Sequence, residues 1–205
     1  MQYGGIILAG GRNSRMKRNK AWVDVGGKPI VVSILREMET MGIKVILVTN
    51  APEEYAFLKV DMVSDLIPAQ GPLSGIHAGL LSSTCQYNLV VACDMPFFKR
   101  ELGATLLAQH DDFDAVVPLV RNRPEPLLAV YRRSVYTQIE ALFAKGVRRC
   151  TALLPEISVH YVRESELQGI VDVDKAFFNV NTPADLERAN LISFLGEDGR
   201  DEQTK

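Results

Sequence analysis

Arg12, Arg15, Lys17, Arg18 and Lys20 put five cations within nine residues, directly behind the pair Gly10-Gly11. Adjacent glycines clear side chains from the backbone, and successive N–H groups there form a concavity that fits a phosphate oxygen. Backbone donors and clustered cations together suit a triphosphate. An ordinary Gly-Gly turn beside a solvated basic face is the plainer alternative; the position behind the apolar run Gly5 to Leu8 and the density of charge favour binding. Two common phosphate loops are excluded by inspection. Met16 precedes Lys17, which breaks Gly-x-x-x-x-Gly-Lys-Ser/Thr, and Gly-x-Gly-x-x-Gly is absent.

Further along, Val90-Val91-Ala92-Cys93-Asp94-Met95-Pro96 sets one carboxylate at the end of an apolar strand that Pro96 stops. A lone Asp there often only caps a turn. A triphosphate, however, arrives with magnesium, which takes carboxylate and water oxygens, so Asp94 is the leading metal ligand. Gly71-Pro72-Leu73-Ser74-Gly75 reads first as a tight loop with proline at a helix start. Its bare backbone also leaves room for a purine, and Asp65, six residues earlier, is available to guanine N–H groups or ribose hydroxyls. Phe178 to Asn181 reads as a strand running into a helix capped by Thr182, with Pro183 in its first turn. Capping leaves Asn179 and Asn181, on one face of that strand, unexplained.

The elements that must carry these residues show in the periodicity. Gly5 to Leu8, Val45 to Val48, Leu89 to Ala92 and Ala115 to Val117 are short runs rich in Val, Ile or Leu, the pattern of strands buried on both faces. Between them, Ile30, Val31, Ile34, Leu35, Met38 and Met41 repeat with helical period, and Leu102, Leu106 and Leu107 begin another such face. Strands alternating with helices predict an α/β fold: three layers, a mostly parallel twisted sheet with helices on both faces. Ligands of such sheets sit at the carboxyl ends of the strands, which directs attention to Ala9 to Met16, Thr49 to Pro52, Asp65 to Gly75 and Asp94 to Pro96. A single domain over residues 1–195 and a polar, frayed tail over 196–205 are expected.

Bulk charge narrows the partners. Lys and Arg number 23 against 25 Asp and Glu, so nothing global attracts nucleic acid, and any anion must be met by local cations. No run reaches the length of a membrane span and the amino terminus lacks a secretory pattern, which predicts no membrane association and a cytoplasmic protein. Cys85, Cys93 and Cys150 are odd in number and widely spaced, so they read as buried free thiols; His77, His110 and His160 are too scattered for zinc.

In this order the pieces resemble the molybdenum cofactor guanylyltransferases, within the wider nucleotidyltransferase group that includes sugar-phosphate guanylyl- and uridylyltransferases. The likeness runs from about Gly4 to Ala189, and its most specific parts are LAGGRNSRM with Lys20, GPLSG, DMP at Asp94 and NVNTPADL. The resemblance implies a Rossmann-like nucleotidyltransferase fold in which the backbone of Leu8, Ala9, Gly10 and Gly11 and the side chains of Arg15 and Lys20 hold the triphosphate. It further implies that Asn50, Asp65 and Gly71 help bind the nucleoside, that Asp94 binds Mg2+, and that Asn179 and Asn181 lie beside the reacting phosphates or the pterin. Arg15, Lys20 and Asp94 would be the catalytic groups. Glu125-Pro126-Leu127 and Gly146-Val147-Arg148-Arg149 look like acceptor-side segments, with Arg148 and Arg149 for the pterin phosphate. Members of the family commonly carry Gly-x-Asp-Lys where this chain has Lys17-Arg18-Asn19-Lys20, so an ion pair orienting Lys20 is lost while Lys20 itself remains.

The substrates so implied are GTP and molybdopterin or molybdenum-molybdopterin, giving molybdopterin guanine dinucleotide and pyrophosphate. Molybdenum-insertion proteins and molybdoenzyme apoproteins would be the protein partners. CTP with molybdopterin, or GTP with another phosphorylated acceptor, would use the same scaffold. From a different class, a non-catalytic nucleotide- and pterin-binding module is kept open by Lys17 and Asn19 and opposed by Lys20 and Asp94.

Overall fold

The computed structural model describes residues 3–9, 22–65 and 71–197. Its strands are β1 (Tyr3–Leu8), β2 (Asp24–Val25), β3 (Lys28–Pro29), β4 (Lys44–Val48), β5 (Asp61–Val63), β6 (Tyr87–Ala92), β7 (Ala115–Val120), β8 (Arg123–Pro124), β9 (Leu128–Arg132) and β10 (Val159–Arg163). Its helices are α1 (Ile30–Thr40), α2 (Pro72–Ser82), α3 (Arg100–Ala108), α4 (Tyr136–Ala144), α5 (Glu164–Leu167), α6 (Val173–Ala176) and α7 (Pro183–Glu197). The four apolar runs of the sequence all become strands.

Among the described residues, eight strands form one sheet in the order β10-β7-β9-β6-β1-β4-β5, with β8 paired to β7, while β2 and β3 form a separate ribbon. The sheet is mostly parallel, as expected, but β9 runs antiparallel to both β6 and β7. The reversal begins at Arg121 and Asn122, both left-handed (φ 52 and 59), which turn β7 back into β8. This single reversal brings residues 125–127 to the same sheet edge as the ends of β1, β4 and β6.

Alternate residues of each strand feed two cores. Ile7, Val45, Leu47, Leu89 and Val91 face α1 and α3, whereas Ile6, Leu8, Val48 and Val90 face α2 and α4. Helix α1 buries Ile30, Val31, Ile34, Leu35 and Met38, the predicted stripe. Full burial of each such side chain contributes about 1.5–3 kcal/mol. Helix α2 lies so close on β1 that a Cβ added to Gly79 would stand 2.6 Å from Ile6 Cγ2. Helix α7 turns Ala189 inward and leaves Leu191, Phe194 and Leu195 exposed on its outer side. No described helix is long and apolar enough to cross a membrane.

Phe178 to Asn181 departs from expectation: it has no regular secondary structure and joins no sheet. Its anchor is instead Val180, fully buried, whose N–H donates to the carbonyl of Asp94 at 2.8 Å. The helix start that follows is as expected. Asp185 N–H donates to Thr182 Oγ1 (3.2 Å), and Asp185 Oδ2 accepts from the N–H groups of Asn181 (3.0 Å) and Thr182 (2.8 Å). The cysteines are free, but only Cys85 is fully buried; Cys93 and Cys150 are half-buried at the ends of elements rather than inside them.

Candidate active site

A row of backbone hydrogen bonds stitches the carboxyl ends of the strands together. Thr49 N–H donates to Val63 O (2.9 Å), Ala9 N–H to Val48 O (2.9 Å), Cys93 N–H to Leu8 O (3.1 Å) and Ala92 N–H to Leu127 O (2.9 Å). Parallel pairing of β1 with both β4 and β6 sets Leu8 level with Val48 and with Ala92. Along this edge therefore lie Asp65, Asn50, Ala9, Asp94 and the Glu125 segment, in that order.

At one end of the row, Asn50 and Asp65 grip each other. Asn50 Nδ2 donates to Asp65 Oδ2 at 3.1 Å, and Asp65 N–H donates to Asn50 Oδ1 at 3.0 Å. Both side-chain groups of Asn50 thereby bond to Asp65, and the pair fixes the orientation of that carboxylate. The second oxygen, Oδ1, lies toward α2, 3.8 Å from the place a Cβ on Gly75 would take. Gly71 opens that helix with φ 73, a left-handed conformation in which any other residue is strained.

In the middle, Leu8 and Ala9 are buried to within 6% of full exclusion and deliver the chain to the glycine loop. Gly10, Gly11, Arg15 and Lys20 lie outside the described residues, but both flanks of their segment are anchored on one side chain. Tyr55, fully buried, donates its hydroxyl to Ala9 O (3.3 Å), and its ring stacks on Trp22 with centroids 5.2 Å apart. Tyr55 sits in the turn Pro52–Leu58, where no periodicity singles it out, and sequence reasoning passed it over.

Asp94 is half-buried, one strand from Ala9, with its backbone locked to Val180. Beside that lock, Asn179 Oδ1 is buried without a hydrogen-bond partner, and Asn181 is held through its N–H by Asp185. Arg148 and Arg149 stand exposed after α4, joined to this group by no hydrogen bond or ion pair among the described residues. Glu125 is half-buried, and burial, together with the charge of Asp94, raises its carboxyl above the usual range.

The MobA-like NTP transferase domain, as a family, matches residues 5–159. The chain belongs to that family. As a MobA-like NTP transferase it is a nucleotidyltransferase, and the carboxyl ends of the strands are where open α/β sheets generally bind their ligands. The chain is 36% identical over 200 residues to the "Probable molybdenum cofactor guanylyltransferase" of Pelotomaculum thermopropionicum, covering 98% of each. It is 33% identical to the molybdenum cofactor guanylyltransferase of Desulfosudis oleivorans, over 94% of this chain and 96% of that one. The crystal structure of molybdopterin-guanine dinucleotide biosynthesis protein A from Archaeoglobus fulgidus superposes with a TM-score of 0.81 at 29% identity, covering 94% of this chain and 99% of that one.

Proposed function

We propose that this chain transfers a guanylyl group from GTP to the terminal phosphate of molybdopterin, with or without molybdenum, releasing pyrophosphate. The observation that carries the reading is the hydrogen-bonded row that sets Asp94 beside Ala9, where the chain enters the glycine- and cation-rich loop. Full-length relatives described as molybdenum cofactor guanylyltransferases support the choice of base and acceptor.

An oxygen of the acceptor's terminal phosphate attacks the α-phosphorus of GTP in line, forming the new P–O bond as the bond to the bridging oxygen of pyrophosphate breaks. An ionised phosphate is already a nucleophile, so no general base is required. The chain's part is alignment and charge neutralisation. Asp65, oriented by Asn50, accepts N–H or O–H groups of the nucleoside; backbone N–H groups of Leu8 to Gly11 would serve the phosphates; Arg15 and Lys20 would neutralise the transferring and leaving groups.

A divalent cation fits the donors present. Asp94 offers a carboxylate, and Asn179 Oδ1 is a buried oxygen left without a partner. Such an orphan acceptor costs about 1–3 kcal/mol, which a neighbouring cation would offset. Oxygen donors suit magnesium, which commonly takes one or two carboxylates and completes its shell with phosphate oxygens and water. Bound there, it would neutralise charge on the triphosphate.

Pyrophosphate release from GTP and molybdopterin tests the reading directly. Asp94→Ala is expected to lower kcat by about 10²–10³, the usual loss on removing one preorganised electrostatic group. A folded variant working at the wild-type rate would overturn the assignment of Asp94.

A further inference from the structure

At the end of the sheet opposite the row of strand ends, the turn into β6 and the chain leaving β9 line a cavity of about 400 Å³ that contains Arg132, Arg133, Ser134 and Thr84. That volume falls within the usual ~300–1,000 Å³ of small-molecule sites. Antiparallel pairing sets Arg132 opposite Tyr87, the first residue of β6, whereas Leu128 lies opposite Val91 near its far end. At the ordinary rise of a strand, Tyr87 and Ala92 are about 16 Å apart. Guanylyl transfer at the other end makes no use of this cleft.

Its charge is one-sided. No acidic side chain is among the lining residues, and the two arginines are adjacent in the chain. Each guanidinium is fixed by backbone carbonyls and an aromatic ring. Arg133 donates from Nε to Ser83 O and from Nη2 to Leu81 O (3.1 Å), with Cζ 5.7 Å from the Tyr136 ring centroid. Arg132 donates from Nη2 to Phe113 O (3.2 Å), with Cζ 5.3 Å from the Tyr87 ring centroid. Carbonyls and rings orient a cation without neutralising it. Asp114 Oδ1 stands 3.6 Å from Arg132 Nε, too far for a hydrogen bond, and that buried Nε has no acceptor. Residues 1–2, 10–21 and 66–70 contain no Asp or Glu that could offset the pair.

Holding up the carbonyls at the end of α2 accounts for the place of Arg133 but uses only two of the five N–H groups of its fork. Guanidinium forks held in advance lose little freedom when an oxyanion binds. Two of them side by side offer more donors than the two oxygens of a carboxylate take. A phosphate monoester brings three acceptor oxygens and nearly two negative charges at neutral pH, which matches the pair in both number and charge.

We propose that this cleft is a second anion site, which takes the phosphate of a small phosphorylated molecule between Arg132 and Arg133, with the Ser134 and Thr84 hydroxyls on the same wall for its polar remainder. The site stands independently of the guanylyl-transfer reading.

Titration of the isotope-labelled full chain with inorganic phosphate at constant ionic strength, followed by amide NMR shifts, tests this. Saturable shifts are expected at residues 84–86 and 132–137, with or without GTP–Mg2+ present, and acetate should bind there more weakly. Arg132→Gln is expected to weaken phosphate binding at this cleft about tenfold or more, the effect of losing a charge-assisted hydrogen bond, and to leave shifts beside Ala9 and Asp94 unaltered. Arg133→Gln should do the same. It also removes two bonds at the end of α2, so if it unfolds early the decision rests on Arg132→Gln, which makes no bond to α2. Shifts that rise without saturating, shifts confined to the Ala9 and Asp94 edge, acetate binding as tight as phosphate, or wild-type affinity in Arg132→Gln would each overturn the proposal. So would a tenfold gain in affinity when Asp198, Asp201 and Glu202 are changed together to their amides, because the acidic tail would then be the occupant.

Discussion

Burial makes several single side chains hold their protons. Tyr131 keeps its phenol proton well above the ordinary value because it is wholly buried, and it therefore remains a donor to Pro126 O, beside Glu125. Burial likewise pushes the Cys150 thiol from 9.0 up to about 12. The folded state thus binds this proton where the unfolded chain has released it. For an acid raised on folding, that contribution is fully present below pH 9.0 and is lost as pH climbs toward about 12. Across that window one thiol changes stability by up to about 1.4 kcal/mol per pH unit. Urea unfolding between pH 8.5 and 11, values bracketing the 9.0 of the free thiol, should show Cys150→Ala losing stability less steeply than wild type. Parallel curves for the two proteins would contradict the raised Cys150 thiol.

At the scale of elements, the structure fixes both flanks of the glycine- and cation-rich segment. β1 delivers Ala9 from the centre of the sheet, and the turn Pro52–Leu58 brings Tyr55 up to hold both Ala9 O and the Trp22 ring. A segment whose flanks are fixed loses less freedom when a ligand binds it, which lowers the cost of binding. Tyr55→Phe keeps the ring stack and deletes the hydroxyl. It should cost about 1 kcal/mol of stability and raise the KM for GTP more than it changes kcat. If only the melting temperature moved, Tyr55 would be a core residue without influence on the loop.

The whole molecule is a sheet with one working edge. Under the proposed function, nucleoside and phosphates would lie in sequence along it, because β5, β4, β1 and β6 lie side by side. A ligand that bridges several strand ends stabilises the fold as a unit. One-site binding at a hundred times Kd adds about 2.7 kcal/mol, or about 5–10 °C for a chain of this size. Thermal unfolding with GTP and Mg2+ should show that shift, and CTP at equal concentration should not. A larger shift with CTP would transfer the base preference.

Much of this was legible in the residues alone. Gly5 to Leu8, Val45 to Val48, Leu89 to Ala92 and Ala115 to Val117 declared themselves as strands because burial on both faces demands unbroken apolar runs, and the stripe on α1 did so through its helical period. The order of LAGG, Asp94 and NVNTPADL along the chain was enough for the family, which the match over residues 5–159 bears out. Tertiary structure alone decided which strand ends are neighbours, that β9 runs backwards, that Tyr55 holds both Ala9 and Trp22, and that Val180 bonds to Asp94 while Phe178 to Asn181 stays out of the sheet. The reason is physical: side-chain periodicity is written locally into the chain, whereas strand order and the partners of loop side chains follow from hydrogen bonds and packing between segments far apart in sequence.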